Sequence, residues 1–344
     1  MLWRRIMRGV DLPVGRHGDL SSLVDLIRRE EEFILATHVN PDGDAIGSLL
    51  GLGLLFRKMG KRVFVGHPAN GELPPQYSFL PGKEFLRGPS ECPSQPTCFI
   101  AIDCANLERL GKMRAPAQKA RLLINLDHHR DNTRFGHLNV VDESYSATAE
   151  IIFTISQRLG QKLDRDIATC LYTGIVTDTG RFQYSNTNQR TFRVAQEMLA
   201  YGVSPAYIFQ NVYENLSFPC LKLLGRVLDR AKFLPEKGIA YSFVSQRDLP
   251  AVGGAEMEET ENFVDLLRAV KEAEVAAILK EMTNGTIKVS LRSKGKIDVS
   301  KLAEKFRGGG HPSAAGFSSP YDLEKTIDVL LKLLESDERH SNCK

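Results

Sequence analysis

Between residues 33 and 141 the chain alternates short apolar runs with segments of helical periodicity. Apolar runs of this length suit strands covered on both faces, and their alternation with helices builds a parallel sheet. The runs are Phe33 to Thr37, Arg62 to Val65, Cys98 to Ile102, Leu122 to Leu126 and His137 to Val141. Between the first two, residues 45 to 60 carry apolar side chains at helical spacing and close on Gly60, the residue expected just past a helix end. The Pro- and Gly-rich stretch from Leu73 to Pro96 reads as loop. The spacing predicts further helices over 147 to 160, 164 to 176 and 188 to 201, with Ser146, Asp164 and Asn186 or Asn188 as N-caps.

From Ser204 to Lys232 the pattern stays helical but the alternation stops, which places a connection between domains there. A helix near 257 to 272 follows. Two strands, 274 to 282 and 286 to 292, then meet at Thr283, Asn284 and Gly285, where Asn-Gly supplies the positive φ values of a tight hairpin. A short helix over 298 to 306 runs into RGGGHPSAAGF. The expected class is α/β: a parallel-sheet domain with helices on both faces, then a smaller mixed-sheet α/β domain. The expected divisions are a mobile leader over 1 to 18, a first domain over 19 to 203, the helical connection over 204 to 232, a second domain over 233 to 338 and a tail over 339 to 344.

A length of 344 residues agrees with two domains, and 42% hydrophobic with 25% charged residues is the composition of a folded, soluble protein. No stretch approaches the roughly 18 to 20 apolar residues of a membrane span, and the first residues lack an apolar signal core, so a cytoplasmic protein without membrane contact is expected. Six cysteines without a CxxC pair read as free thiols. A net charge of +3 is far from that of a strongly basic duplex binder, so any contact with nucleic acid should be local.

Chemistry concentrates where the apolar runs end. The first delivers His38, Asp42 and Asp44, the third Asp103, and the fourth Asp127, His128 and His129. In an open parallel sheet, ligands bind outside the carboxyl ends of the strands, and three such ends converging on acids and imidazoles outweigh the plain alternative of turns and caps, with Asp44 capping the next helix. A calcium loop starting at Asn40 fails, because Ala45 stands where glycine is needed and Gly51 where glutamate is needed. Adjacent histidines leaving a strand point to opposite sides, so His128 and His129 are expected to have different jobs. Asp178 follows an apolar helix, and by itself reads as a solvated or capping acid. The triple glycine Gly308, Gly309, Gly310 reads as a loop whose backbone can approach a phosphate closely and form an anion-binding nest.

In these motifs the chain resembles the DHH phosphoesterase family. His38, Asp42 and Asp44 resemble its first motif, Asp103 its second, the triplet Asp127, His128 and His129 its third, and Asp178 its fourth. The stretch from Gly308 to Gly316, with His311, is similar to the DHH-associated domain, and the subgroup resembled is the nanoRNase type. The resemblance implies one ion held by His38, Asp42 and Asp103 and a second by Asp44, Asp103, His128 and Asp178, with Asp103 bridging. Two divalent cations suit such a set, Mn2+ first and Mg2+ or Co2+ as alternatives. It further implies Asp127 orienting an imidazole and His129 as phosphate contact or proton donor. Arg292, Lys294, Gly308, Gly309, Gly310 and His311 would bind substrate in a cleft between the lobes.

The implied activity is hydrolysis of short single-stranded RNA oligonucleotides to mononucleotides, and of 3'-phosphoadenosine 5'-phosphate to AMP. Cyclic- or linear-dinucleotide phosphodiesterase, pyrophosphatase and a short RecJ-like exonuclease are the alternatives within the class. A non-catalytic nucleotide sensor is the alternative outside it, and a homodimer stays open.

Overall fold

A computed structural model describes residues 20–67 and 73–341, in two units that meet between Val212 and Tyr213. The expected leader lies outside the described residues. Among the described residues the first unit holds six strands: β1 (Glu32–Ala36), β2 (Arg62–Gly66), β3 (Leu86–Arg87), β4 (Cys98–Ile102), β5 (Leu122–Asp127) and β6 (Leu138–Val141). All pair in parallel, in the order β3-β2-β1-β4-β5-β6. Every residue of β4 and β5 is buried, which is why these strands read as unbroken apolar runs. β3 lies inside the stretch read as loop. It is two residues long, too short for any periodicity, and is fixed by pairing Leu86 with Val65 and Arg87 with Gly66.

Among the described residues, the helices of this unit are α1 (Leu20–Arg29), α2 (Gly43–Lys58), α3 (Arg114–Lys119), α4 (Thr148–Arg158), α5 (Arg165–Asp178), α6 (Gln189–Ala200) and α7 (Pro205–Tyr213). α2 starts two residues earlier than its apolar pattern suggested, because Asp42 is its cap: the Asp42 carboxylate accepts from Ala45 N at 3.0 Å. Asp44 is therefore no cap but a buried residue of the first turn. Asp164 caps α5, accepting from Ile167 N at 3.0 Å, and Asn188 rather than Asn186 caps α6. Ser146 does not cap α4; its N–H and hydroxyl both donate to Glu150 Oε2. Asp178 ends α5 instead of lying in a loop.

α2 is apolar nearly all round and is buried accordingly. A Cβ at Gly47 would sit 2.4 Å from the Cys170 carbonyl oxygen and 3.0 Å from Gly174 N, so α2 and α5 touch backbone to backbone. That contact fixes the separation of the two helices whose ends carry Asp44 and Asp178.

The second unit is a six-stranded mixed sheet, β7 (Lys232–Leu234), β8 (Ile239–Val244), β9 (Val275–Glu281), β10 (Ile287–Ser293), β11 (Gly309–His311) and β12 (Ala314–Ser319), ordered β11-β12-β10-β9-β8-β7. Only β8 and β9 pair in parallel. Alternate residues of β8 and β9 enter opposite cores: Ile239, Tyr241, Val275, Ala277 and Leu279 one, Ala240, Ala276 and Ile278 the other. Its helices include α8 (Phe218–Asp229), α9 (Phe263–Arg268), α10 (Val299–Glu304) and α11 (Leu323–Ser341). α11 carries the chain three residues into the expected tail, and residues 342–344 lie outside the described ones.

Three details of this unit depart from the sequence reading. The helix expected near 257 to 272 is a 3-10 turn, Met257–Thr260, followed by the short α9. In the hairpin only Gly285 is left-handed, with φ 80°, while Asn284 Oδ1 accepts from the Thr286 N–H and hydroxyl; this is a three-residue turn, which needs one positive φ, not two. The triple glycine is not a loop. Gly309 to His311 form β11, and a Cβ on Gly308 or Gly310 would come within 2.3 Å of Gly316 O or 2.5 Å of Ala314 O, so these glycines serve close strand approach.

We expect Gly47→Ala to push α2 away from α5 and to cost about 1–3 kcal/mol by overpacking. Thermal unfolding should register a fall of roughly 2–4 °C per kcal/mol for a unit of this size, and a variant as stable as the parent would refute the backbone contact.

Candidate metal centre

The order of the first sheet reverses between β1 and β4, which opens a crevice at the carboxyl ends of those strands. His38 and Asp42 follow β1, Asp103 follows β4, and β5 ends at Asp127 with His128 and His129 behind it. Asp44 enters from the first turn of α2 and Asp178 from the last residue of α5. Asp103 is 1% exposed and left-handed, with φ 56°, a conformation that aspartate tolerates better than most residues. Its N–H still donates to Leu126 O at 2.9 Å, so the turn out of β4 is tied to β5 while the carboxylate faces the crevice.

Asp103 is common to three clusters whose ligand atoms lie within 4.8 Å of one another: His38, Asp42 and Asp103; Asp44, Asp103 and His128; Asp103, Asp127 and His129. His38 Nε2 stands 3.7 Å from Asp103 Oδ2. His128 Nε2 stands 3.7 Å from both Asp44 Oδ2 and Asp103 Oδ1, and 3.5 Å from Asp178 Oδ2. Its Nδ1 is 3.1 Å from the Tyr145 carbonyl, which can only accept, so Nδ1 carries the proton and Nε2 presents its lone pair to the carboxylates.

The two histidines do not diverge as strand alternation suggests. β5 ends at Asp127, whose Oδ1 accepts from the N–H groups of both His128 and His129, at 2.8 and 3.2 Å. The chain curls, and both rings approach Asp103 Oδ1, with their centroids 4.9 Å apart. Their partners nevertheless differ, since His129 Nδ1 donates to Asp127 Oδ1 at 2.7 Å.

Polar residues that no motif announced hold this set in place. Thr148 donates its hydroxyl to Asp103 Oδ1 at 2.9 Å and its N–H to Asp44 Oδ2 at 2.6 Å. Ala149 N and Ser48 Oγ both donate to Asp44 Oδ1 at 3.0 Å, so the N-terminus of α4 is aimed at that carboxylate. Asn132 Nδ2 donates to Asp127 Oδ2 at 2.5 Å, and Asn186 Nδ2 to the Asp178 carbonyl at 3.1 Å. Thr148 is distant in sequence from both carboxylates it holds, and none of these residues leaves a metal-site signature of its own. His38 Nδ1 donates to the Val39 carbonyl at 2.8 Å, which leaves the lone pair on Nε2.

Burial, together with the charges of Asp103, Asp178 and Asp42, pushes the Asp44 carboxyl well above the usual range. Burial likewise raises Asp178 to about 7, although His128 pulls the other way. For Asp103 burial acts in the same sense but is outweighed by His38, His129 and His128, which hold it below the usual carboxylate value. Burial opposes a proton on His129, yet Asp127 and Asp103 win and raise it well above the usual imidazole value. Among the described residues, the buried His38 Nε2 has no hydrogen-bond partner. A buried lone pair beside crowded carboxylates is costly by itself and suits a divalent cation, and carboxylates mixed with imidazoles are the donors such ions take.

The pattern of the DHH family, N-terminal domain, matches residues 32–175, and that of the DHHA1 domain matches residues 236–337. The chain belongs to the DHH family of phosphoesterases. Over 314 residues it is 36% identical to the bifunctional oligoribonuclease and PAP phosphatase NrnA of Thermus thermophilus, covering 90% of each chain. It is 32% identical over 319 residues to the protein of the same name from Bacillus subtilis, covering 91% of this chain and 97% of that one. Among solved structures, an exopolyphosphatase-related protein from Bacteroides fragilis matches with a TM-score of 0.83 and 27% identity, over 92% of this chain and 95% of that one. RecJ from Thermus thermophilus, solved with Mn2+, shares the fold, with a TM-score of 0.55 at 14% identity over 96% of this chain and 56% of that one.

In this DHH-family chain the substrate-side candidates lie in the second unit. Arg292 is within β10 rather than after it, and its Nε pairs with Asp265 Oδ1 at 3.1 Å. Lys294 Nζ donates to the carbonyls of Val270 and Lys271, at 2.5 and 3.2 Å. Gly309, Gly310 and His311 lie on the edge strand β11, with Gly308 just before it.

Two outcomes follow from the electrostatics. A cation must displace the protons that Asp44 and Asp178 retain, so manganese affinity should rise as pH increases through about 7 and level off above it; calorimetric titrations from pH 6 to 8.5 check this, and Asp178→Asn should flatten the rise. Thr148→Val should weaken manganese binding roughly 10- to 100-fold, because it removes the hydroxyl that orients Asp103.

Proposed function

We propose that the chain is a metal-dependent phosphoesterase that hydrolyses short RNA oligonucleotides to mononucleotides and 3'-phosphoadenosine 5'-phosphate to AMP. The observation that carries this reading is Asp103, one buried carboxylate shared by three ligand clusters at the switch point. The choice of substrates is supported by relatives at 36% and 32% identity that are named for oligoribonuclease and PAP phosphatase activity.

In this reading His38, Asp42 and Asp103 hold one cation, and Asp44, Asp103, His128 and Asp178 the other. Mn2+ is favoured, in keeping with the RecJ structure solved with it, and Mg2+ or Co2+ would also suit oxygen-rich donors. When bound, such a pair supplies charge neutralisation at the phosphoryl oxygens and lowers the pKa of water. The protein's own part is to hold and move charge. Asp127, fixed by three other N–H donors, accepts from His129 Nδ1 and with Asp103 favours the protonated imidazole, which suits His129 to grip a phosphoryl oxygen or protonate a leaving oxygen. The second unit supplies recognition through Arg292, Lys294, Gly308, Gly309, Gly310 and His311. A guanidinium can grip phosphate with two hydrogen bonds, and the edge strand β11 can offer backbone N–H groups on its outer side.

With manganese, the purified protein should release mononucleotides from RNA of two to five residues faster than from a 25-mer, and AMP from 3'-phosphoadenosine 5'-phosphate; chelation should stop both. Product from neither substrate would overturn the reading. Asp103→Asn should nearly abolish turnover. Arg292→Ala should retain manganese but lose about ten- to hundred-fold in kcat/KM, mostly through KM, since a charge-assisted contact contributes about 1.5–3 kcal/mol. Lost metal in that variant would move Arg292 out of recognition.

A further inference from the structure

The segment that leaves Asp178 is unusual in its backbone. Gly180, Arg181 and Phe182 all have positive φ, at 54°, 65° and 64°. Left-handed residues normally occur singly, and a non-glycine residue there costs roughly 1–2 kcal/mol, so two in succession persist only where something holds them. The segment is pinned at both ends beside the metal centre. Phe182 N donates to Thr179 Oγ1 at 3.1 Å, and Asn186 Nδ2 returns to the Asp178 carbonyl at 3.1 Å. A Cβ on Gly180 would lie 2.3 Å from the Tyr184 ring, which closes the segment on itself.

This backbone delivers the Phe182 ring onto Phe192, with centroids 5.3 Å apart and planes at 23°. Tyr172 meets Phe182 edge-on at 6.2 Å, which braces it from behind. Phe192 lies in α6, two residues after Arg190, whose guanidinium stacks 3.8 Å over the Tyr145 ring. Tyr145 is the residue whose carbonyl orients His128. The aromatic pair is thus tied on one side to Asp178 and on the other to the support of His128. The outer ring of the pair is open to solvent, with Phe192 57% exposed.

We infer that the stacked Phe182 and Phe192 rings form a platform for a nucleobase of the substrate, which gives the metal centre a preference for phosphoesters flanked by bases. The inference rests on the proposed oligonucleotide substrate. A stacked aromatic face receives any base, because every base has a π-face, and so selects nucleotides over inorganic phosphoesters without reading sequence.

The test compares a 5'-phosphorylated two-adenine dinucleotide with its abasic analogue, using the full chain with manganese. In Phe192→Ala the ratio of kcat/KM for the two substrates should fall by about tenfold or more, and Phe192→Trp should restore it. A ratio within about twofold of the parent in Phe192→Ala overturns the platform. A dinucleotide with a non-hydrolysable linkage separates this failure from that of the proposed function. If the parent hydrolyses neither dinucleotide, the proposed function fails. The platform is then decided by binding of that analogue: weaker binding to Phe192→Ala upholds it, and equal binding overturns it.

Discussion

Burying several carboxylates at one sheet edge is the constraint on which the first unit turns. Asp44, Asp103 and Asp127 are almost completely buried, and their mutual repulsion is met by imidazoles, by backbone N–H groups at the start of α4 and by hydroxyls. The fold makes that concentration possible, because the reversal of strand order between β1 and β4 leaves room for side chains that continuous packing would exclude. Asp103 sits at the centre in a left-handed conformation, with its N–H still bonded to Leu126, so a single residue both ends a strand and organises the crevice.

The parts of this arrangement visible in the sequence were those with a period or a punctuation. Fully buried strands read as apolar runs, and each run that ended in an acid or imidazole marked the crevice edge. What stayed hidden had no local signature. Thr148 acts through atoms more than a hundred residues from Asp44, and β3 exists only because Val65 and Gly66 pair with it. Strand alternation wrongly opposes the two histidines because it does not extend past Asp127, where that residue's own carboxylate gathers the next two N–H groups and ends the strand. The triple glycine misleads for a related reason: glycine signals close approach, and here the approaching partner is a neighbouring strand.

The second unit handles charge differently. Glu261 pairs with Lys288 at 3.0 Å and with the buried Lys280 at 2.9 Å, Asp265 pairs with Arg292, and Arg268 donates to Ser293 O at 3.2 Å. Glu261, Asp265 and Arg268 recur at helical spacing, so α9 and the turn before it are laced along β9 and β10. Burial lowers the Lys280 ammonium pKa, with Glu261 opposing that shift. A lysine in an apolar stretch such as EVAAILKEM gives no hint in sequence that it will lie 1% exposed.

The clustered carboxylates and imidazoles of the candidate centre come from residues 38 through 129, which meet only after β1, β4, β5 and α2 have all packed. A site scattered so widely has no counterpart in the unfolded chain, and the contacts that create it close long loops. A cation that recognises the finished site has little to bind before the transition state is crossed. Its stabilisation therefore acts mainly on the escape rate of the native state rather than on the rate of reaching it. For this chain, a bound cation would be a brake on unfolding rather than a template for folding.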